Sequence, residues 1–546
     1  MNGRVPSLGA ENVPSGRRSN PDLVGRTASA RSFGLIGSAA MLAAGGSAGI
    51  LGAALLASPS GATATTWVVD SLGDGDANAA NCTPPTQGRC TLRDSLAAQQ
   101  SGDTITFEAS LSGGTINLTA DEGQLRVDHR SVTITGPGSD SLTINQTKSN
   151  QPVFYLVAYK YDVVMTGLAI IGGTDSGIDA YGVSDLTLID VELTGNSGSR
   201  GGGVYLENFY GDLIITDSYI HDNTASREGG GIFVSDTAGD PGPGNVTISG
   251  SVISNNTSAG AGGGGRLENS ESVTIEDSTF SGNESGNGGG ALYIRSNADP
   301  VNITGSTFDN NSAFYQGGAI LSSSANLTIS NSTFTANTGL GGGGLSALHG
   351  SSLTVNQSTF TGNSATGSDP DYAGGGGINF RGAVAVSMSG TIVSANTAVV
   401  SGQADIGLVD AQSGTITSTN SFLGDIDSRI TLFGSGSIRS STPGLGLLAD
   451  NGGPTKTMAL LLGSLAIDAG PDPVATFVGN EYDQRGVGFP RVTSGFVDIG
   501  AFEFEPEPEP TTTTTSVNPT TTTTTSVNPT TTTTTSANPV VPQFTG

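Results

Sequence analysis

Between residues 193 and 396 the chain repeats one short phrase. An apolar anchor is followed three residues later by asparagine: Leu193, Ile220, Ile253, Phe280, Phe308, Phe334, Phe360 and Val393 precede Asn196, Asn223, Asn256, Asn283, Asn311, Asn337, Asn363 and Asn396. Successive asparagines lie 27, 33, 27, 28, 26, 26 and 33 residues apart. Each long step holds an insertion, 236–244 or 366–374, in an otherwise constant unit. A fixed period of this size marks stacked supersecondary units, and it constrains the fold more than any local propensity.

Inside the unit the period is two. In LTISNSTF (327–334), Leu327, Ile329, Ser332 and Phe334 fall on one side, and Thr328, Ser330 and Thr333 on the other. Thr and β-branched residues dominate, Gly punctuates the turns, and helix formers are scarce, which is strand grammar. Three strands are expected per unit: the LTI run, the STF run, and the run after the glycines, such as Ile232 with Val234 or Leu292 with Ile294. So small a unit cannot bury its own apolar face. Coiling it, so that each strand pairs with its equivalent in the next unit, makes parallel sheets around one continuous core. A β-propeller blade takes about 40–45 residues and does not fit.

The sequence therefore predicts an all-β parallel β-helix. Less regular strands extend it upstream to on the order of eleven rungs, or a rod of roughly 50 Å at the usual strand spacing. The asparagines are expected to form a ladder, their amides pairing from rung to rung and their backbones taking the left-handed conformation.

Three segments resemble known families. The phrase from Phe308 through Asn311 to Gly317–Ile320 resembles the FxxN and GGAI repeats of the polymorphic outer-membrane proteins, surface β-helices whose likeness implies a right-handed coil and an adhesin role. Residues 65–107, with the core Cys90-Thr91-Leu92-Arg93-Asp94-Ser95, are similar to the CSLREA domain found at the N-terminus of bacterial surface β-helices. Ser, Glu and Ala of that motif are here Thr, Asp and Ser, and a capping turn explains the segment without chemistry. Residues 443–470 and 482–505 resemble the choice-of-anchor Q domain through Asp450–Thr455, Ala466–Gly470, Asp483–Gly486 and Asp498–Ala501. That likeness implies a region preceding a surface attachment, and Asp483, Arg485 and Asp498 are expected to form an ion pair closing the end of the rod.

The divisions follow. Residues 1–64 read as an export signal, with Arg17 and Arg18 before an Ala/Gly-rich apolar run and cleavage after Ala64; an uncleaved anchor is the competing reading. Residues 65–107 form the N-terminal cap, 108–440 the coil, 441–505 the anchor-like region, and 506–546 a Glu-Pro and Thr-rich stalk with Asn518, Asn528 and Asn538 ten apart. Cys82 and Cys90, the two cysteines of an exported chain, are expected to form a local disulfide.

Function is less constrained. A formal charge of −27 argues against nucleic acid or an anionic bilayer as partner. The membrane is met only through the signal, and a secreted or cell-surface monomer is expected, touching surface glycans or other envelope components. The leading reading is an adhesin or structural spacer without cofactor. An alternative is a polysaccharide lyase or hydrolase, for which stacked carboxylates at Asp185 and Asp212, or Asp190 and Asp217, are the candidates, solvated surface acids being the plain explanation. A third is calcium-dependent glycan binding. Asp70, Asp74, Asp76 and Asn78 alternate in one loop as calcium ligands do, but the loop lacks the glycine and glutamate of an EF-hand. Outward tyrosines among Tyr155, Tyr159, Tyr161, Tyr181, Tyr205 and Tyr210 would stack on sugars, unless they fill the core.

Overall fold

The computed structural model describes residues 64–506 except 84–88, 236–243, 296–299, 349, 370, 371, 373, 383, 410–412 and 494. The signal through residue 63, most of the 236–244 insertion and the Thr-rich tail lie outside the described residues. What is described is a right-handed parallel β-helix. Its sheets have 25, 11 and 8 strands, called I, II and III below, and a two-stranded hairpin follows.

Sheet I contains both the LTI and the STF runs, for example Asn326–Ser330 and Thr333–Thr335. Sheet II contains the run after the glycines, such as Ile320–Ser323. Its 11 strands match the rung count read from the sequence. Sheet III was not foreseen: it is built largely from two-residue strands just after the ladder asparagines, such as Ser312–Ala313. Two residues carry no period, so each unit has four strands where three were expected.

Alternation decides what fills the coil. Leu327 pairs in register with Val301 and Leu353, Ile329 with Ile303 and Val355, and all are buried. Phe280, Phe308, Phe334 and Phe360 stack with ring centroids 4.9, 4.6 and 4.3 Å apart. Like side chains one strand spacing apart thus make a continuous aromatic column. Glycine is required at the next corner. Gly317 has φ of 68°, and a Cβ there would lie 2.2 Å from the carbonyl oxygen of Ile320.

The asparagines form a buried ladder. Nδ2 of each of the first seven donates to Oδ1 of the next at 2.8 to 3.1 Å. The second Nδ2 proton goes to a carbonyl one rung back, Phe280 for Asn311 and Phe308 for Asn337. From Asn223 on, each Oδ1 also accepts the backbone N–H of the preceding ladder asparagine, as Asn337 does from Asn311 at 2.9 Å, while Asn196 accepts that of Gly173. The left-handed residue, however, is the one before each asparagine. Gly195, Asp222, Asn255, Gly282, Asn310, Ala336, Gly362 and Ala395 have φ between 53° and 69°. Turning there aims the amide inward, where it is fully shared.

At the N-terminal end, helix Leu92–Ala98 buries Leu92 and Leu96 on the core and begins with a capping box between Thr91 and Asp94. Cys82 and Cys90 are disulfide-bonded beside it.

The C-terminal region departs from expectation. Residues 445–505 pack along the outward face of sheet I. Gln484 bonds Thr333 at 2.6 Å, Thr307 at 2.9 Å and Thr455 at 3.0 Å, and Ala501 N–H donates to Thr359. Ile392 and Phe422 of the coil share a second apolar cluster with Leu460, Ala466 and Ile499. Ser330 and Thr333, read as surface residues, are buried for this reason. Arg485 pairs with Asp483 at 2.6 Å, but Asp498 instead accepts N–H bonds from Asp468 and Phe504.

Candidate functional site

The outward side of sheet II differs from that of sheet I. Its strands Leu125–Asp128, Phe154–Val157, Ile178–Tyr181, Val204–Glu207, Ile232–Ser235, Gly265–Glu268 and Leu292–Arg295 send their apolar residues inward. Parallel register then lines up Arg126, Tyr155, Asp179, Tyr205, Phe233, Arg266 and Tyr293 in one outward row. Two residues along each strand lies a second row that includes Asp128, Tyr181, Glu207 and Glu268. Equivalent positions of sheet I carry Thr and Asn, as at Thr274, Asn302, Thr328 and Thr354.

Most polar groups of this face are matched. Arg126 pairs with Asp128 at 2.5 Å and lies over the Tyr155 ring. Arg200, from sheet III, pairs with Glu228 at 3.1 Å and covers Phe233, while Arg266 joins Glu228 and Glu268 and lies over Tyr293. Tyr205 donates its hydroxyl to Glu207 at 2.7 Å and stacks on Phe233 with centroids 5.5 Å apart. Burial and that bond hold the Tyr205 phenol well above its ordinary value. Tyr159 stacks on His129 and meets Tyr181 edge-on at the rim.

Asp179 is the exception. It stands between Tyr155 and Tyr205, half-buried, and among the described residues its carboxylate has no hydrogen-bond or ion-pair partner. Burial, with Asp175 and Glu207 adding to it, pushes the group up to about 7. Glu207 is diagonal to it, one strand over and two residues along, which puts their Cβ atoms about 8 Å apart at ordinary strand spacings.

The acids named from the sequence have other surroundings. Asp185 accepts the N–H of Asp212 at 2.8 Å, and Asp212 accepts both the backbone and side-chain N–H of Asn245. They are links in a turn ladder, and burial raises Asp185 despite the Asp212 amide. Asp190 and Asp217 sit exposed at left-handed corners with φ of 51° and 49°, Asp190 taking a bond from Ser139. A corner that demands a left-handed residue explains why Asp recurs there. In the early loop, Asp74 is spent on Arg93 at 2.7 Å and on the amides of Thr119 and Ala120. Asp70 accepts from Cys90 N–H, Asn78 caps a turn at Ala80, and Asp76 is exposed. These four do not converge, and among the described residues no three His, Cys, Asp or Glu are grouped to hold a metal ion.

Asp179 was missed because only the inward residues of the glycine-following runs were read. Aligning their outward positions gives Asp, Tyr, Phe, Arg and Tyr, a signal available in the sequence. A second polar group lies on sheet I, where His221 bridges Glu192 at 2.9 Å and Asp222 at 2.6 Å and stacks on Tyr219. Every imidazole nitrogen there is already partnered.

Comparison with known proteins adds the family. Among solved structures, a pectate lyase Pel9A is 13% identical with TM-score 0.35, over 81% of this chain and 97% of that one. A rhamnogalacturonan lyase is 13% identical with TM-score 0.25, over 71% and 91%. The ORF18 protein of Geobacillus virus E2 is 16% identical with TM-score 0.28, over 43% and 50%. No curated protein matches the sequence. The profile of the right-handed β-helix region matches residues 126–266 and 262–439, more than half of the chain. The chain belongs to the right-handed β-helix family.

Proposed function

We propose that this protein is an exported, cell-surface β-helix that binds glycan along the outward face of sheet II, an adhesin rather than a bare spacer. The observation carrying this reading is the row from Tyr155 to Tyr293, where aromatic and charged side chains replace Thr and Asn. Phe233 is buried under Arg200, and Arg126 and Arg266 lie over Tyr155 and Tyr293, so the row presents tyrosine edges and hydroxyls among hydrogen-bonding groups, a mixture that suits the polar rim and apolar patches of sugars. Export is supported by the basic and apolar N-terminal segment and by the Cys82–Cys90 disulfide, a bond at home in oxidising compartments. Surface attachment rests on the likeness of residues 443–505 to an anchor-preceding domain. No calcium is invoked, since Asp74 and Asp70 are engaged elsewhere.

The test is retention of the whole chain on a panel of immobilised polysaccharides. Retention that drops at least tenfold in Tyr155→Ala and Tyr205→Ala supports the reading. A chain that passes every glycan unretained is a spacer.

A second reading is favoured by Asp179 and Glu207. A carboxyl pushed up to about 7 and a second acid whose Cβ lies about 8 Å away fall on the scale of an inverting glycosidase, whose acid and base carboxyl groups are set roughly 6.5–9.5 Å apart. Asp179 would protonate the glycosidic oxygen as its bond to C1 breaks, while Glu207 takes a proton from the water attacking C1. Release of reducing ends, abolished in Asp179→Asn, would establish this activity; binding without products leaves the adhesin.

A further inference from the structure

Each turn of the coil is covered by the next, and the two ends are finished differently. At the N-terminal end, helix Leu92–Ala98 lays Leu92 and Leu96 on the core. At the C-terminal end the final turn is Ile430–Phe433 with Ile438–Arg439, and residues 445–505 pack along the flank. Among the described residues Ile430–Phe433 has one partner strand, Gly414–Thr419, and residues 431–436 are all exposed. Gly414 N–H is bonded to the Arg429 carbonyl, so alternation points the backbone groups of Ile430 and Leu432 the other way, off the end of sheet I. Ile430 N–H turns back to the Asp427 carbonyl, which leaves the N–H and carbonyl of Leu432 on an open edge. Leu432 stands opposite the buried Ile416, on the core side of the sheet, yet it is 37% exposed, and Phe433 beside it is 56% exposed. An apolar edge without Lys or Pro is a template for pairing with another chain.

Charge points to what that chain is. The protein carries −27, yet from residue 413 to residue 449 its charged side chains are Asp425, Asp427, Arg429 and Arg439, two of each sign. An end without net charge can meet a copy of itself free of the repulsion that the rest of the chain would impose. Its backbone is self-complementary as well. A two-fold axis beside Leu432 sets its N–H against the Leu432 carbonyl of the second copy, and the reverse, which is the hydrogen-bonded pair of an antiparallel ladder. Both Leu432 side chains then lie on the core side, and the buried row continues from Ile416 across the axis. A head-to-tail joint would instead set Leu432 against an end whose core the helix already closes. We propose that two copies join end to end at this turn, Ile430–Phe433 pairing antiparallel with itself about a two-fold axis, so that the coil doubles in length. The monomer expected from the sequence gives way to a dimer, whatever the outward face of sheet II binds.

The experiment is sedimentation equilibrium of the full chain and of Leu432→Asp. The parent is expected to reach twice the mass of one chain. Leu432→Asp sets like charges opposite each other across the axis and should weaken association at least about tenfold, with an unchanged thermal midpoint. Leu432→Cys locates the joint, because Cys82 and Cys90 are bonded to each other and a Cα separation of about 5.5 Å lies within disulfide reach. Mild oxidation should give a covalent dimer of Leu432→Cys and none of Val68→Cys, at the opposite end of sheet I. A chain that stays monomeric at every concentration overturns the proposal. So does a dimer that Leu432→Asp leaves intact and Leu432→Cys does not cross-link. Cross-links formed only between Leu432→Cys and Val68→Cys chains, with masses that grow past two copies, overturn the two-fold axis in favour of head-to-tail stacking.

Discussion

Asn396 donates its backbone N–H and its side-chain Nδ2–H to the same oxygen, Oδ1 of Asp405, at 2.8 and 2.9 Å. Asp405 is buried and also accepts the N–H of Asp425 at 2.7 Å. All the ladder amides are oriented alike: each carbonyl oxygen accepts from the rung before, and one Nδ2–H of each donates to the rung after. Their dipoles add, and the positive end meets a carboxylate, as a helix dipole meets its capping charge. A carboxylate accepts but cannot donate, so the relay ends there.

Replacing Asp405 with Ala should therefore orphan three buried donors. At about 1–3 kcal/mol for each unsatisfied group, partly relieved by water, a loss of roughly 3 kcal/mol is expected. Denaturant unfolding measures it, with hydrogen exchange locating the damage near residues 396–425. Stability equal to the parent would show that the ladder needs no terminator.

Asn311→Asp tests the relay from the inside. The carboxylate can still accept from Asn283, but it would face the Phe280 carbonyl and Oδ1 of Asn337 with nothing to donate. Asn311→Asp should destabilise more than Asn311→Ala at pH 7, by about 1–3 kcal/mol, and the gap should narrow as pH falls and the acid is protonated. An unchanged gap at pH 4 would sink the explanation.

Phe334 packs between Phe308 and Phe360 in the buried column. Phe334→Ala should cost about 3–5 kcal/mol, with Phe334→Leu losing much less. Equilibrium unfolding compares the two, and similar losses would mean that volume matters less here than ring stacking.

Burial pushes Glu503 up to about 8, with Asp498 and Asp483 adding to it and Arg491 opposing. Its folded value thus lies above the unfolded one. The folded state holds the extra proton, so this contribution is complete below the unfolded value and is lost as pH rises through about 8. Docking of residues 445–505 should loosen progressively from the ordinary glutamate range up to about pH 8, and Glu503→Gln should flatten that dependence. Limited proteolysis across this range reads it; identical profiles for the two proteins would refute the assignment.

The repeat made the coil legible because period two and a fixed spacing are properties of single residues and their neighbours in sequence. Leu327, Phe334 and Asn337 lie inside as read, since each rung obeys the same local rule. The flank of sheet I was not legible. Nothing local to Thr333 announces that Gln484, some 150 residues on, will cover it. Candidate acids were sought where Asp recurs at equivalent positions, yet recurrence at Asp190 and Asp217 reports a left-handed corner. Asp179 recurs nowhere, and its surroundings come from two neighbouring rungs.

The seam between the C-terminal region and sheet I has a mechanical meaning. Contacts at Gly305, Thr307, Asn331, Thr333, Thr359 and Gly390 belong to four successive turns of the coil. Tension applied beyond Phe504 therefore enters the coil sideways, shared by many side-chain bonds loaded together in shear. It does not start at the last strands of the coil, Ile430–Phe433 and Ile438–Arg439, which would peel away first. A rod held by its flank unravels last where it is pulled.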